Sequence, residues 1–159
     1  MQRNKNILDR IGSLIPGYKG YSIRDEKRNS DKKLREHLSN TLQHVESSII
    51  EHQSYLINKN NLNTCQEWEV IRKSLNTLLT KLRYAKYGES PFFSESQIKE
   101  SELDEIYQID LRISERIDLL FNLINKHIKE VLAPISINES LKQLELLMNE
   151  RSILISNYK

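Results

Sequence analysis

The chain has 159 residues and is short of the ones that build turns, cross-links and membrane spans. It has one cysteine, three prolines and four glycines. A single cysteine, Cys65, excludes an intramolecular disulfide framework and a cysteine-built zinc site. So few glycines and prolines disfavour an all-β domain, which needs many tight turns. No run approaches the roughly 20 apolar residues of a membrane-spanning helix. The opening Met1-Gln-Arg-Asn-Lys leads into no apolar segment of a secretory leader. These features predict a cytoplasmic protein, with the periphery of the inner membrane as the alternative location.

What is present is helical. Hydrophobic residues make up 38% and charged residues 29%, a balance suited to helices with one apolar stripe and a wide wet face. The stripes can be followed directly. The first runs Leu34, Leu38, Leu42, Val45, Ile49, Leu56, and the second Trp68, Ile71, Leu75, Leu78, Leu82. The third runs Leu103, Ile106, Asp110, Ile113, Ile117, Leu120, Ile124, His127, Val131. The last runs Ile137, Leu141, Leu144, Met148, Arg151, Ile155. Steps of three and four are the mark of a helical seam. The third helix carries further apolar residues off its seam, which predicts that it is central.

Breaks and caps divide the chain. Asn58–Asn63, Gly88–Pro91 and Pro134 interrupt the stripes. Thr64-x-x-Glu67, Ser94-x-x-Gln97 and Ser136-x-x-Glu139 have the form of reciprocal capping boxes. Together they predict helices over 24–59, 65–87, 95–133 and 137–157. The expected fold is all-α, an antiparallel bundle or coiled coil of four long helices with a short N-terminal amphipathic helix. Residues 1–21 form the N-terminal segment and turn, and residues 22–159 the bundle domain. Ile7, Leu8, Ile11, Leu14 and Ile15 mark one face of the N-terminal helix, with Arg3, Lys5 and Arg10 elsewhere on it. That pattern suits a membrane surface, a partner, or docking back onto the bundle.

Charge is uneven. Residues 1–37 hold ten Lys/Arg and five Asp/Glu, a surplus of five, within a net charge of +2 for the whole chain. Lys19, Arg24, Lys27, Arg28, Lys32, Lys33 and Arg35 are dense enough to consider nucleic acid. Asp25, Glu26 and Asp31 are interleaved, which is typical of a solvated face and makes that partner the least favoured.

Catalytic patterns are missing. No histidine has an acid three residues before it, so the Glu-x-x-His of a di-iron bundle is absent. His37, His44 and Glu51 share one helix line, without an apparent ligand from a second helix. No Arg-x4–6-His of the HEPN-type ribonuclease bundles occurs, and there is no Gly-rich phosphate loop. Cys65 has no histidine near it in sequence. Asp110 and His127 interrupt the third seam and are expected to fix register or to pair with a cation such as Arg151. No enzyme activity, metal or cofactor is expected.

The remaining candidates are aromatic and basic. Tyr18, Lys19 and Tyr21 sit in one turn. Arg83, Tyr84, Lys86, Tyr87, Phe92 and Phe93 sit around another. If helices 24–59 and 65–87 are antiparallel, the two clusters meet at one end. They form either a hydrophobic plug with hydroxyls reaching water or a binding patch.

Two of these stretches carry a resemblance. Leu14-Ile-Pro-Gly-Tyr-Lys-Gly-Tyr21 and Leu82-Arg-Tyr-Ala-Lys-Tyr-Gly88, the latter followed by Phe92-Phe93, are similar to segments of a family of uncharacterised bacterial helical proteins. That family has an IPGY-x-GY segment near its N-terminus and an RYA-x-YG segment before an FF pair. The resemblance implies a bacterial, non-enzymatic protein near membrane-associated scaffolds of the SPFH or phage-shock type, and it transfers no catalytic residue. One departure is Ser90-Pro91, where the family's pattern calls for smaller, glycine-rich residues. The function expected is a non-enzymatic interaction or scaffold protein that binds a protein partner or itself. A peripheral membrane module using the N-terminal helix is the alternative, and a nucleic-acid-binding protein the second. No small-molecule substrate is expected.

Overall fold

The computed structural model describes residues 2–94 and 98–158, with side chains from Lys5 onward. Six α-helices follow one another: α1 Gln2–Leu14, α2 Arg24–Asn58, α3 Leu62–Arg83, α4 Pro91–Ser94, α5 Glu100–Lys129 and α6 Ile137–Ser156. A 3₁₀ turn, Pro134–Ser136, leads into α6. The described residues contain no strand, and the fold is all-α.

The four long helices form two hairpins laid side by side. α2 packs on α3 and α5, while α6 packs on α5 and α3. The short turn between α2 and α3 reverses the chain, as does the one between α5 and α6. Arg28 donates to the Gly88 carbonyl at 2.6 Å, so the end of α3 returns to the start of α2. Lys81 meets Glu145 across the α3–α6 seam. α2 and α5 therefore run in one direction and α3 and α6 in the other. The seam residues fill the shared core, from Leu34 to Leu56, Trp68 to Leu82, Ile106 to Ile124 and Ile137 to Ile155. α5 is the hub, because it also carries α1. Ile11 of α1 and Ile15 just after it are fully buried in the same core, with Ile7, Leu8 and Leu14 packed against it. α1 thus spends its apolar face on α5, and Arg10 pairs with Glu115.

Helix boundaries differ from those read from the sequence, each for a local reason. α3 starts at Leu62, not 65. Asn61 is the N-cap, and its side chain accepts the Thr64 amide, so Thr64 lies inside the first turn. Asparagine caps as well as threonine does, and the box pattern read one turn late. α3 ends at Arg83, not 87, because the Leu82 carbonyl is taken by Arg35 at 3.0 Å as the chain turns out at Tyr84. α5 starts at Glu100 rather than 95. Ser94 closes α4 instead, and the remainder of its expected box, 95–97, lies outside the described residues. Ser136 precedes α6 without side-chain capping, since its hydroxyl is held by His127 Nε2 at 3.1 Å.

α5 ends at Lys129, not 133. Val131 adopts φ 52°, and the Leu132 amide reaches back to the His127 carbonyl at 2.9 Å. This is the closing geometry that glycine usually supplies. A β-branched residue there costs about 1–2 kcal/mol. Val131→Gly is therefore expected to stabilise the monomer by about 1 kcal/mol, seen as a higher urea midpoint at unchanged slope.

Candidate functional site

The two expected aromatic clusters do meet at one end of the bundle, and they meet in its interior. Tyr18, Tyr21, Phe92 and Phe93 are buried and Tyr87 is half-buried. Tyr21 contacts Tyr18 and Phe92 edge-on and stacks on Tyr107, and Phe93 stacks on Tyr87. Tyr84 is not a member. It is 72% exposed and turned away. Of the cations, Lys19 faces Glu26 at 3.6 Å and Arg83 donates to Gln43 at 2.7 Å, while Lys86 is exposed.

Local sequence explains this closure. Gly17 and Gly20 both take positive φ, at 87° and 84°, so the turn after α1 folds sharply back over α5. At Gly20 the missing side chain also makes room, since a Cβ would stand 2.6 Å from the Tyr107 hydroxyl. Ser90 accepts the Phe92 amide at 3.2 Å and donates to the Ile155 carbonyl. Ser90-Pro91 thereby supplies an N-cap and a first helical residue for α4, which points Phe92 and Phe93 inward.

At the centre lies an ionic cluster. Asp110 is completely buried and Arg151 is 5% exposed. Arg151 Nε donates to Asp110 Oδ1 at 2.6 Å, so the seam cation expected for Asp110 is its partner. Arg151 also donates to the hydroxyls of Tyr87 at 2.7 Å and Tyr21 at 2.8 Å, and it pairs with Asp31 at 2.9 Å. The other Asp110 oxygen accepts from Tyr18 at 2.7 Å and Tyr21 at 2.5 Å. Asp31 accepts further bonds from Tyr87 and Arg35. Tyr107 accepts the Tyr21 amide at 2.8 Å. Two arginines and two aspartates balance, and the cluster joins the turn after α1 to α2, α5, α6 and the α3–α4 connection. Sequence reading missed Asp31 and the buried Lys27, whose ammonium donates to the Phe92 carbonyl at 3.0 Å.

The electrostatics follow. Burial pushes the Tyr18 and Tyr21 hydroxyls well above the usual tyrosine range, and Asp110 beside them adds to it. Burial likewise lifts Tyr87 to about 12. At Asp31 burial pushes upward, but Arg151 and Arg35 pull the carboxyl below its ordinary range. Unfolded tyrosines ionise near pH 10. Above that pH the unfolded chain sheds protons that the folded chain keeps. The tyrosines' contribution is thus complete below about pH 10 and is lost as pH climbs through 12. Asp31 contributes in the opposite sense, its share being lost as pH falls below about 4. Urea midpoints should hold level from pH 7 to about 9.5 and fall steeply beyond, with tyrosinate absorbance from the buried rings appearing only as the fold is lost. Ionisation of these rings in an intact fold would contradict the burial.

Chemically the cluster is occupied by itself. Its hydroxyls and carboxylates are bonded to one another and to Arg151. The cavity beside Tyr87 and Arg151 is about 40 Å³, room for about one water molecule. His37 and His44 open instead on a groove of about 610 Å³ between α2 and α5, opposite Asp118 and Asn125. Among the described residues no group of three or more His, Cys, Asp or Glu is placed to hold a metal ion. His127 is held by the Leu123 carbonyl at 2.8 Å as well as by Ser136. Cys65 is a free thiol beside the Gln53 carbonyl. Most of the basic run at the start of α2 is paired within the fold. Lys32 and Lys33 face Glu36, Arg35 holds Asp31, and Arg28 lies 5.0 Å over the Phe93 ring. No described helix is long and apolar enough to cross a membrane.

The opposite end differs. Both short connections, after α2 and after α5, lie there. Ile57 and Leu62, in the helix turns beside the first connection, and Val131, Leu132 and Ile135, in the second, are 40–71% exposed. Ile50, Tyr55 and Val70 on the flanking helices are exposed as well. With Tyr55 in the last turn of α2, six of the thirteen exposed large apolar side chains among the described residues are at this tip, while Ile50 and Val70 lie about 12 Å farther along α2 and α3. Sequence reading missed it, because it followed seam residues and put Val131 at the end of the third seam, whereas α5 stops at Lys129 and leaves Val131 46% exposed. The signal was the apolar run Val131-Leu132 and Ile135 around Pro134, in a connection where polar residues are usual.

Comparison with protein-family models, curated proteins and solved structures finds no match to this chain.

Proposed function

We propose that the protein is a non-enzymatic interaction module, a rigid four-helix rod that presents its apolar tip to a protein partner. The observation that carries this is the gathering of exposed Ile57, Leu62, Val131, Leu132 and Ile135 in and beside the two connections at one end. Connections are ordinarily polar, and a concentrated apolar patch on a soluble domain marks a contact surface. The sealed aromatic end supports the same reading. Its rings and charges are consumed in holding five chain segments together, which leaves them unsuited to substrate chemistry and suited to rigidity.

A membrane role through α1 would require Ile11 and Ile15 to leave the core. The fold therefore favours the tip over the N-terminal helix as the contact surface. The test is affinity capture from native extract with the full chain and with a Leu132→Asp/Ile135→Asp variant. Both side chains are exposed, so the variant is expected to keep the melting temperature of the parent. A protein retained by the parent and lost by the variant supports the module. Equal retention by both would remove the tip from consideration, as would retention by neither if the parent also fails to self-associate.

A further inference from the structure

We infer that the tip seats a second copy of the same chain, the two rods meeting end to end about a twofold axis. The inference rests on the tip's being the contact surface and names its occupant. Two features of the tip favour a copy over other partners.

The first is area. The six tip side chains, Tyr55, Ile57, Leu62, Val131, Leu132 and Ile135, are each 40–71% exposed. Their exposed parts come to roughly 600 Å², so two tips together reach about 1,200 Å², the lower end of a standard protein interface. A surface of that size needs a partner of similar extent, and a second tip supplies one.

The second is charge. The exposed charged residues around the tip are Lys59, Lys126, Lys129 and Lys142 against Glu51, Glu67, Glu130 and Glu139. Both signs are present in equal number. An isologous contact brings each patch against itself, so a surface of mixed sign can set lysines opposite glutamates. A bilayer or nucleic acid of uniform negative charge would be repelled by as many of these groups as attract it.

Val131 adds an energetic reason. Its left-handed backbone at φ 52° is strained, and its side chain is 46% exposed. Within one chain that exposed isopropyl group offers little to offset the strain, whereas in a tip-to-tip contact it is buried. Strain kept at an exposed position is a sign of use.

The experiment is sedimentation equilibrium of the purified full chain over a wide concentration range. Companion samples carry Leu132→Asp/Ile135→Asp, Val131→Gly, or Leu146→Asp/Ile153→Asp on the outer face of α6 as a control. The parent is expected to reach twice the chain mass, and the tip variant to remain at one. The α6 variant should dimerise like the parent. Val131→Gly separates folding from contact, since it is expected to raise the monomer's urea midpoint while weakening dimerisation roughly tenfold. A parent that stays monomeric at every concentration overturns the inference. So does a dimer broken by the α6 variant and kept by the tip variant. If the parent is monomeric yet captures a tip-dependent protein from extract, the copy is wrong and the interaction module stands. A monomer that instead co-sediments with phosphatidylglycerol vesicles through the tip replaces the copy with a lipid surface. If the tip captures nothing in any of these experiments, both readings fail.

Discussion

Replacing Arg151 with alanine is expected to cost about 3–5 kcal/mol of stability, the largest effect of any single exchange proposed here. Arg151 is the common cation of Asp110 and Asp31, at 2.6 and 2.9 Å. Removing it leaves Asp110 fully buried beside two tyrosine hydroxyls with no positive charge in contact. The penalty is that of the abandoned anion, and it exceeds the net worth of the ion pair itself. For a domain this long, the melting temperature should drop by roughly 10–15 °C. The cause can be separated from the loss of packing. Asp110→Asn and Asp31→Asn added to Arg151→Ala remove the abandoned charges and should restore part of the loss. Thermal unfolding followed by circular dichroism on the single and triple variants measures both. A triple variant worse than the single one would show that the ionic cluster stabilises by means other than charge balance.

Gly20→Ala is expected to cost about 3 kcal/mol, from two additive sources. The first is backbone. Gly20 lies at φ 84°, where an L-residue costs about 1–2 kcal/mol. The second is space. A Cβ at this position would meet the Tyr107 hydroxyl at 2.6 Å and Leu8 Cδ2 at 2.7 Å. Forcing them apart is overpacking of about 1–3 kcal/mol, and it also disturbs the bond from the Tyr21 amide to Tyr107. Gly17 provides the internal control. It has φ 87°, yet a Cβ there meets only the flexible Lys33 side chain at 3.5 Å. Gly17→Ala should show the backbone cost alone, about 1–2 kcal/mol. Denaturant unfolding of both variants gives the comparison, and equal losses would mean that the contact of the turn with Tyr107 and Leu8 is looser than described.

These two positions also show how far the sequence could be read. The seams of α2, α3, α5 and α6 were legible because burial follows a period that residues reveal one by one. Asp110 stood out as a polar break in such a seam, and Arg151 as another, so their pairing could be anticipated. Asp31 could not be seen in the same way, because it sits in a run of mixed charge that reads as a wet surface. Yet the signal was present. Stepping back from Leu38 and Leu34 by threes and fours reaches Asp31 and then Lys27, both on the core side of α2. A seam that continues through charged residues marks a buried ionic cluster, provided that it is followed past the last leucine.

The convergence of Tyr18, Tyr21, Tyr87, Phe92 and Phe93 followed from helix direction alone. Whether they would form a plug or a patch did not, since that depends on how closely the turn at Gly17 and Gly20 folds over α5. Tyr84 illustrates the limit. It lies three residues from Tyr87, but α3 ends at Arg83 just before it, and the change of direction after the helix sends Tyr84 to solvent and Tyr87 to Asp31 and Arg151. The caps were misplaced for a related reason. Asn61, Thr64, Ser94 and Ser136 all offer side-chain oxygens, but Asn61 takes the Thr64 amide, Ser94 donates to the Pro91 carbonyl and Ser136 is held by His127, so only the first of them caps a helix.

The two ends of the rod therefore do different work, one sealed around Arg151 and the other open through its connections. Hydrogen exchange read by mass spectrometry at rising protein concentration tests this division most directly. Residues 18–21 and 87–93 should be protected at every concentration, while residues 55–62 and 131–135 gain protection as copies meet. Protection that grows with concentration at 83–93, with the tip unchanged, would contradict it.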